Sequence, residues 1–278
     1  MKPAPFAYER PGDLRAALGL MSQTDRTVKI IAGGQSLGPM LNLRLVQPDL
    51  LIDISGLAEL KQASCADGEL TLGACVTHSD IEDERVPDVT RGAMQRVAAA
   101  IAYRAVRNRG TIGGSLSHAD PAADWVTALS ALGATVSLRS LSGSRRIAVE
   151  AFITGALQSA LQSGEIVEAI HVPAMTRSAR WGYFKSCRKT GEFAHAIGAV
   201  LIDPERATAR AVIGALGGAP IVLPEAAAIF RGRIASDFEK QFDGSVADAL
   251  LAKAGVSNAA DRHIHVTALR RAVKEAAA

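Results

Sequence analysis

The chain has 278 residues, 48% hydrophobic and 21% charged. That composition fits a folded protein of one large or two ordinary domains and excludes a disordered chain or a disulfide-stapled miniprotein. Lys+Arg 31 against Asp+Glu 28 gives a formal charge of +3, and aromatics make up 4%; a dedicated nucleic-acid or membrane-surface binder would carry more charge, and a single-strand platform more rings.

No apolar run reaches the ~18 residues of a membrane span. The opening MKPAPFAYERPGD lacks the hydrophobic segment of a signal peptide and reads as the start of a cytoplasmic protein. Asp13 is placed to cap a helix with Leu14, Ala17, Leu18 and Met21 on one face. Val28, Ile30 and Ile31 suggest a strand that runs into Gly33–Gly34, and Leu50–Ser55 a second strand that completes a β–loop–β unit. Gly68–Val76 alternates as a strand does, and Asp88–Ala102 has helical character.

The second glycine-rich segment, RNRGTIGGSLSHADPAADW, follows, with Asp120–Pro121 predicting a helix start and Trp125, Val126, Leu129 and Leu132 its buried face. GATVSLRS and RRIAVEAF predict a hairpin, and Gly164–Pro173 another strand. Met175–Arg180 has no apolar period and reads as a linker. Beyond it WGYFKSCRK, HAIGAVLID and ATARAVIGAL predict three strands, then mostly helix to the end. Cys65, Cys75 and Cys187 have no metal-ligand spacing, which argues against an iron–sulfur cluster, a structural zinc or a disulfide framework in this chain.

Glycine is the one excess: 25 residues, about 9% against a usual ~7%. AGGQS (Ala32–Ser36) and TIGGS (Thr111–Ser115) each set a Gly–Gly pair between an apolar approach and a small polar side chain. Such pairs allow positive φ and close backbone approach, so successive N–H groups can form an anion nest. Ser36, Thr111 and Ser115 can add hydroxyl donors, and Arg107 and Arg109 lie nearby in sequence. Two such loops could clamp the phosphates of one dinucleotide; the plainer alternative is a pair of tight turns. A Walker A loop is not supported, because Pro39 and Met40 stand where Lys and Ser/Thr are needed, and there is no GxGxxG.

KIIAGGQSLGPMLNLRLVQPDLLIDIS together with RNRGTIGGSLSHADPAADW resembles the FAD-binding medium subunit of the molybdenum hydroxylases, the carbon monoxide dehydrogenase and xanthine dehydrogenase family. The likeness extends through GEIVEAIHVP and FKSCRKTGEFA to a small C-terminal region. It implies an α+β fold: a two-part FAD-binding domain of the vanillyl-alcohol oxidase and p-cresol methylhydroxylase type over residues 1–176, with subdomains of about 1–56 and 57–176. A C-terminal domain with a three-stranded antiparallel sheet would follow over 177–278. It implies noncovalent FAD held by Ala32, Gly33, Gly34, Gln35 and Ser36 and by Thr111, Ile112, Gly113, Gly114 and Ser115, largely through backbone N–H groups. Serine stands at 115 where relatives commonly have Asn or Asp.

By the same resemblance Asp124 contacts the cofactor, Lys185 reaches the flavin region, Val167 and Ile101 line the site, and Phe193 falls where some relatives place an aromatic over the flavin ring. Read alone, Asp124 is a first-turn helix acid, Lys185 a solvated strand lysine, and the two aliphatic residues core. His118, Asp120 and Asp124 have metal-ligand chemistry, and Ser115, His118 and Asp120 are triad residue types. The capping position of Asp120 and the absence of a GxSxG elbow weigh against a hydrolase. No catalytic side chain and no metal ligand is expected here. The implied partners are a molybdopterin-binding large subunit and a small subunit with two [2Fe–2S] clusters, as a dimer of heterotrimers; nucleic acid and membrane are not expected partners.

Overall fold

The computed structural model describes residues 2–22, 25–231 and 237–278, so the part of the expected helical tail at 232–236 lies outside the described residues. Three larger sheets and a two-stranded ladder, Ile153–Gly155 with Gln158–Ser159, build an α+β protein with helices between and behind them. The first sheet is parallel, with Leu50–Asp53 between Ala7–Glu9 and Val28–Ile31. Asp13 caps the helix Leu14–Met21 as expected, accepting from Ala16 N at 2.7 Å, and Leu14, Ala17 and Leu18 bury its apolar face. Val28–Ile31 pairs with Leu50–Asp53 from Val28↔Leu50 to Ile31↔Asp53, so the glycine pair leaves the carboxyl edge of the sheet.

The second sheet is antiparallel, in the order Ala63–Ala66, Glu69–Gly73, Ile166–Pro173, Thr135–Ser140, Gly143–Ala148. The helices Ala93–Ala99, Ile112–His118 and Asp124–Ala131 supply buried residues to the core that covers one of its faces. Every residue of Asp124–Ala131 is buried, because this helix lies between the second sheet and the third.

The third sheet is an antiparallel meander of four strands, Arg180–Ser186, Ala196–Asp203, Thr208–Gly214 and Ile221–Leu223. The expected three are present, and the fourth corrects the count. It is three residues long, bounded by Pro220 and Pro224, and too short to show a period of two. The helix Ala259–Ala277 packs directly on this sheet. A Cβ on Gly182 would stand 1.8 Å from the Ala272 carbonyl oxygen, and one on Gly198 2.5 Å from Leu269 Cα. Among the described residues no helix is long and apolar enough to cross a membrane.

Several local expectations are corrected. Helix within Asp88–Ala102 is confined to Ala93–Ala99, because the Asp88 carboxylate accepts from Thr90 N and Gly92 N and Gly92 adopts φ +82°. Asp120 opens a turn, accepting from Ala122 N at 2.8 Å, and the helix starts at Asp124. TIGGS, read as a loop, is the start of the helix Ile112–His118, with Thr111 as its cap. RRIAVEAF is strand only to Ala148 and helical over Val149–Phe152. Met175–Arg180 is not a free linker: Met175 N donates to Val89 O, the Arg91 guanidinium donates to the carbonyls of Arg177 and Ala179, and Arg180 already belongs to a strand.

Candidate functional site

A cleft of about 580 Å³ opens where the carboxyl edge of the first sheet meets the helices of the second, a volume within the ~300–1,000 Å³ usual for small-molecule sites. The two glycine segments, far apart in sequence, touch at its floor. A Cβ on Gly33 would lie 2.0 Å from the Arg109 carbonyl oxygen and 2.9 Å from Gly110 Cα, so only glycine lets these backbones meet. Gly34 takes φ +71°. No backbone carbonyl among the described residues accepts from the N–H groups of Gly33, Gly34, Gln35 or Ser36. Unpaired N–H groups lining a cleft are the donor set that an anionic group such as pyrophosphate requires.

The second segment is built differently, which corrects the expectation of a second nest. Ile112 N donates to Val76 O, Gly113 N to Ala74 O, Ser115 N to Thr111 O and Gly114 N to Thr111 Oγ1. Gly113 is required because a Cβ there would fall 2.5 Å from Ala74 Cβ. This segment therefore offers the cleft its glycine surface and the side chains of Thr111 and Ser115. Arg107 faces away: it pairs with Glu82 and donates to the carbonyls of Ile101 and Ala102. The Arg109 side chain turns back to Gly33 O, 3.4 Å away.

Asp124 and Lys185 form a buried ion pair in the cleft wall. Lys185 Nζ lies 2.9 Å from Asp124 Oδ2, with side chains 9% and 6% exposed. Tyr183 OH donates to Asp124 Oδ1 at 2.7 Å, and Lys185 Nζ also reaches Ala100 O at 3.3 Å. Burial raises the Asp124 carboxyl above the ordinary aspartate range, opposed by the Lys185 charge and both hydrogen bonds. Burial, then the charge of Asp124, pushes the Tyr183 phenol up in turn.

Of the residues expected to line the site, the cleft brings together all but Ile112, whose side chain is in the core. Ile101 and Val167 form apolar wall, and Phe193 stands at the rim, 70% exposed. His118 and Asp120 also border the cleft, yet no hydrogen bond links Ser115, His118 and Asp120, and no cluster of metal-ligating side chains occurs among the described residues. Sequence reasoning missed Tyr183 and His78. Tyr183 had a signal, since residues two apart on a strand share a face with each other and so with Lys185; His78 had none.

A second cavity of about 710 Å³ lies between Arg91, Arg177, Arg180, Trp181 and the end of the last helix. Three of its guanidinium groups are already engaged: Arg91 with the carbonyls of Arg177 and Ala179, Arg96 with Glu275, Arg180 with Ala277 O. The smaller cleft has the unpaired donors and the buried charge.

Residues 4–175 match the family described as the FAD binding domain in molybdopterin dehydrogenase. The chain is 36% identical over 225 residues to the caffeine dehydrogenase subunit beta of Pseudomonas sp. (strain CBB1), spanning 80% of this chain and 76% of that protein. It is 34% identical over 202 residues to the carbon monoxide dehydrogenase medium chain of Hydrogenophaga pseudoflava, spanning 73% and 70%. In structure it resembles quinoline 2-oxidoreductase from Pseudomonas putida 86, with a TM-score of 0.84 and 29% identity over 100% of this chain and 98% of that one. Carbon monoxide dehydrogenase from Hydrogenophaga pseudoflava gives a TM-score of 0.87 and 28% identity over 99% and 98%. The glycine cradle, the unpaired amides and the cleft fit the cofactor of that family, and the chain belongs to it: an FAD-binding medium subunit of the molybdenum hydroxylases.

Proposed function

We propose that this chain is the flavin station of a molybdenum hydroxylase complex. It would receive electrons from the [2Fe–2S] clusters of a small subunit, downstream of a molybdopterin-carrying large subunit, and pass them to an external acceptor. A bound flavin supplies one- and two-electron chemistry, so no side chain of this subunit need act on the organic substrate. The observation that carries the reading is one cleft holding four unpaired backbone N–H groups beside a buried Lys–Asp pair.

In this reading the amides of Gly33, Gly34, Gln35 and Ser36 hold the pyrophosphate of noncovalent FAD, and Ala32, Gly113 and Gly114 give the backbone surface it lies against. Thr111 and Ser115 add hydroxyl donors. Lys185 sets a cation, partly compensated by Asp124, at the edge of the cleft, where it favours an electron-rich ring. Ile101 and Val167 exclude water, and Phe193 covers the opening. The first two sheets, residues 1–176 with parts of about 1–56 and 57–176, form the cofactor domain, and 177–278 the second domain, which contributes Lys185 and Phe193. The assembly is a cytoplasmic dimer of heterotrimers.

Two observations on one preparation test this. The chain purified from its own host should be yellow, release FAD on denaturation, and co-purify with two further chains carrying molybdenum and iron. A colourless chain that takes up no FAD, or a flavoprotein with no such partners, contradicts the proposal.

A further inference from the structure

We propose that His78 is a cofactor-binding residue: it donates its Nε2–H, in a tautomer fixed by Trp125, to an acceptor atom of the dinucleotide in the cleft. This rests on the flavin reading and adds a donor of a kind the backbone amides do not supply.

The sequence Thr77–His78–Ser79–Asp80 fixes the residue at its backbone. Thr77 Oγ1 accepts from Asp80 N at 3.1 Å and Asp80 Oδ2 from Thr77 N at 2.9 Å, a reciprocal cap at the start of the helix His78–Glu82. His78 N donates to Gly110 O at 2.9 Å, which ties this turn to the second glycine segment. The ring then enters the protein between Trp125 and Gly110. A Cβ on Gly110 would lie 2.9 Å from both Cδ2 and Nε2, so the edge of the imidazole occupies the space that glycine leaves.

Chemistry determines where the proton sits. Trp125 Nε1–H lies 3.1 Å from His78 Nδ1, and an indole nitrogen can only donate. Nδ1 must therefore present its lone pair, and the proton of a neutral ring is on Nε2. The ring is neutral, because burial, helped by the nearby Arg107 charge, pulls its pKa down to about 4. The charged groups around it are this Arg107, itself paired with Glu82.

His78 is 5% exposed, it lines the cleft, and its Nε2 has no hydrogen-bond partner among the described residues. Nε2 is not among the fully buried polar atoms without a partner, so it still reaches the solvent of the cleft and would exchange water for a ligand acceptor there. Here it borders the same floor as Gly33 and Gly110, where a bound dinucleotide would meet it.

The test uses the full chain labelled with [15N]histidine, stripped of FAD and titrated with it at neutral pH. The visible spectrum reports binding, and nitrogen NMR reports His78. The expected result is a protonated Nε2 and an unprotonated Nδ1 before addition, and a shift of the Nε2–H signal that tracks the flavin absorbance. In parallel His78→Leu should bind FAD about tenfold more weakly, while His78→Gln, which can place an amide donor near the same point, stays within about threefold. Bound FAD with an unmoved Nε2 signal, or wild-type affinity in His78→Leu, overturns the proposal and leaves the flavin reading standing. A chain that takes up no FAD overturns the flavin reading and this one with it.

Discussion

Asp124 and Lys185 carry opposite charges where neither would be tolerated alone, and each lines the cleft. Removing one partner of a buried pair strands the other. Lys185→Met should therefore cost about 3 kcal/mol in urea unfolding of the flavin-free chain, and in the flavin-loaded chain it should lower the midpoint potential, since an electron-rich ring loses its cation. Tyr183→Phe removes one donor to the same carboxylate and should cost about 2 kcal/mol, read from the same urea curves. His78 adds a pH dependence of definite sign. Its pKa falls from 6.5 in the unfolded chain to about 4 in the fold, so between those values the unfolded state binds a proton that the folded state refuses. The stability it contributes is complete above pH 6.5 and declines as pH falls to 4, by about 3 kcal/mol. Urea midpoints measured from pH 7.5 down to 4 should fall with the pH, and His78→Gln should make that slope shallower, leaving the part added by His171 and His265, whose pKa values burial also lowers. The carboxyls of Glu82 and Asp83, held down by Arg107 and Arg104, with Asp83 at about 2, add their loss only at lower pH. At this scale the sequence showed Asp124 and Lys185 through their family context, but Tyr183 and Trp125 act through partners 59 and 47 residues away, and pairing over such separations leaves no local pattern.

Elements show why the glycines matter and why half of their role was hidden. In AGGQS the pair does what a Gly–Gly pair suggests: one residue at positive φ, the other pressed against a carbonyl, and a run of amides left unpaired. In TIGGS the same two letters sit in the first turn of a helix. Glycine disfavours helix by ~1 kcal/mol per residue, which is why the sequence reads as a loop. Contact with Ala74 overrides that preference, because only a helix without a Cβ at 113 can lie so close. The helix Asp124–Ala131 was legible from its apolar face, though not its start, since the Asp120 carboxylate closes a turn first. Gly182 and Gly198 make the same kind of contact between the third sheet and the helix Ala259–Ala277. Gly198→Ala should force the two apart and cost about 2–3 kcal/mol in thermal unfolding, without altering flavin affinity, because the strain lies on the face of the sheet away from the cleft residues Lys185 and Asp124.

The whole molecule places its cleft at a junction: the first sheet contributes the amides, the helices of the second sheet Asp124 and the glycine surface, and the third sheet Lys185. The α+β class, most of the longer strands and the pairing of the two glycine segments were legible because each rests on short-range patterns or on an extended motif, whereas the short strands Ala7–Glu9 and Ala63–Ala66 and the place of each strand in its sheet were not. The fourth strand of the third sheet and the ordered path of residues 175–180 were not, because both depend on contacts with distant residues. If this junction binds a dinucleotide by its pyrophosphate, on the amides of Gly33–Ser36, a flavin without that pyrophosphate must bind it poorly. The most direct measurement is equilibrium titration of the flavin-free chain with FAD and with FMN, which lacks the pyrophosphate link, comparing wild type and Gly33→Ala by flavin fluorescence. One FAD should bind per chain, FMN should be held more weakly by at least ~100-fold, and Gly33→Ala should lose FAD affinity while its fold still melts cooperatively. Equal affinity for FMN, or unchanged FAD binding in Gly33→Ala, would contradict binding by the pyrophosphate.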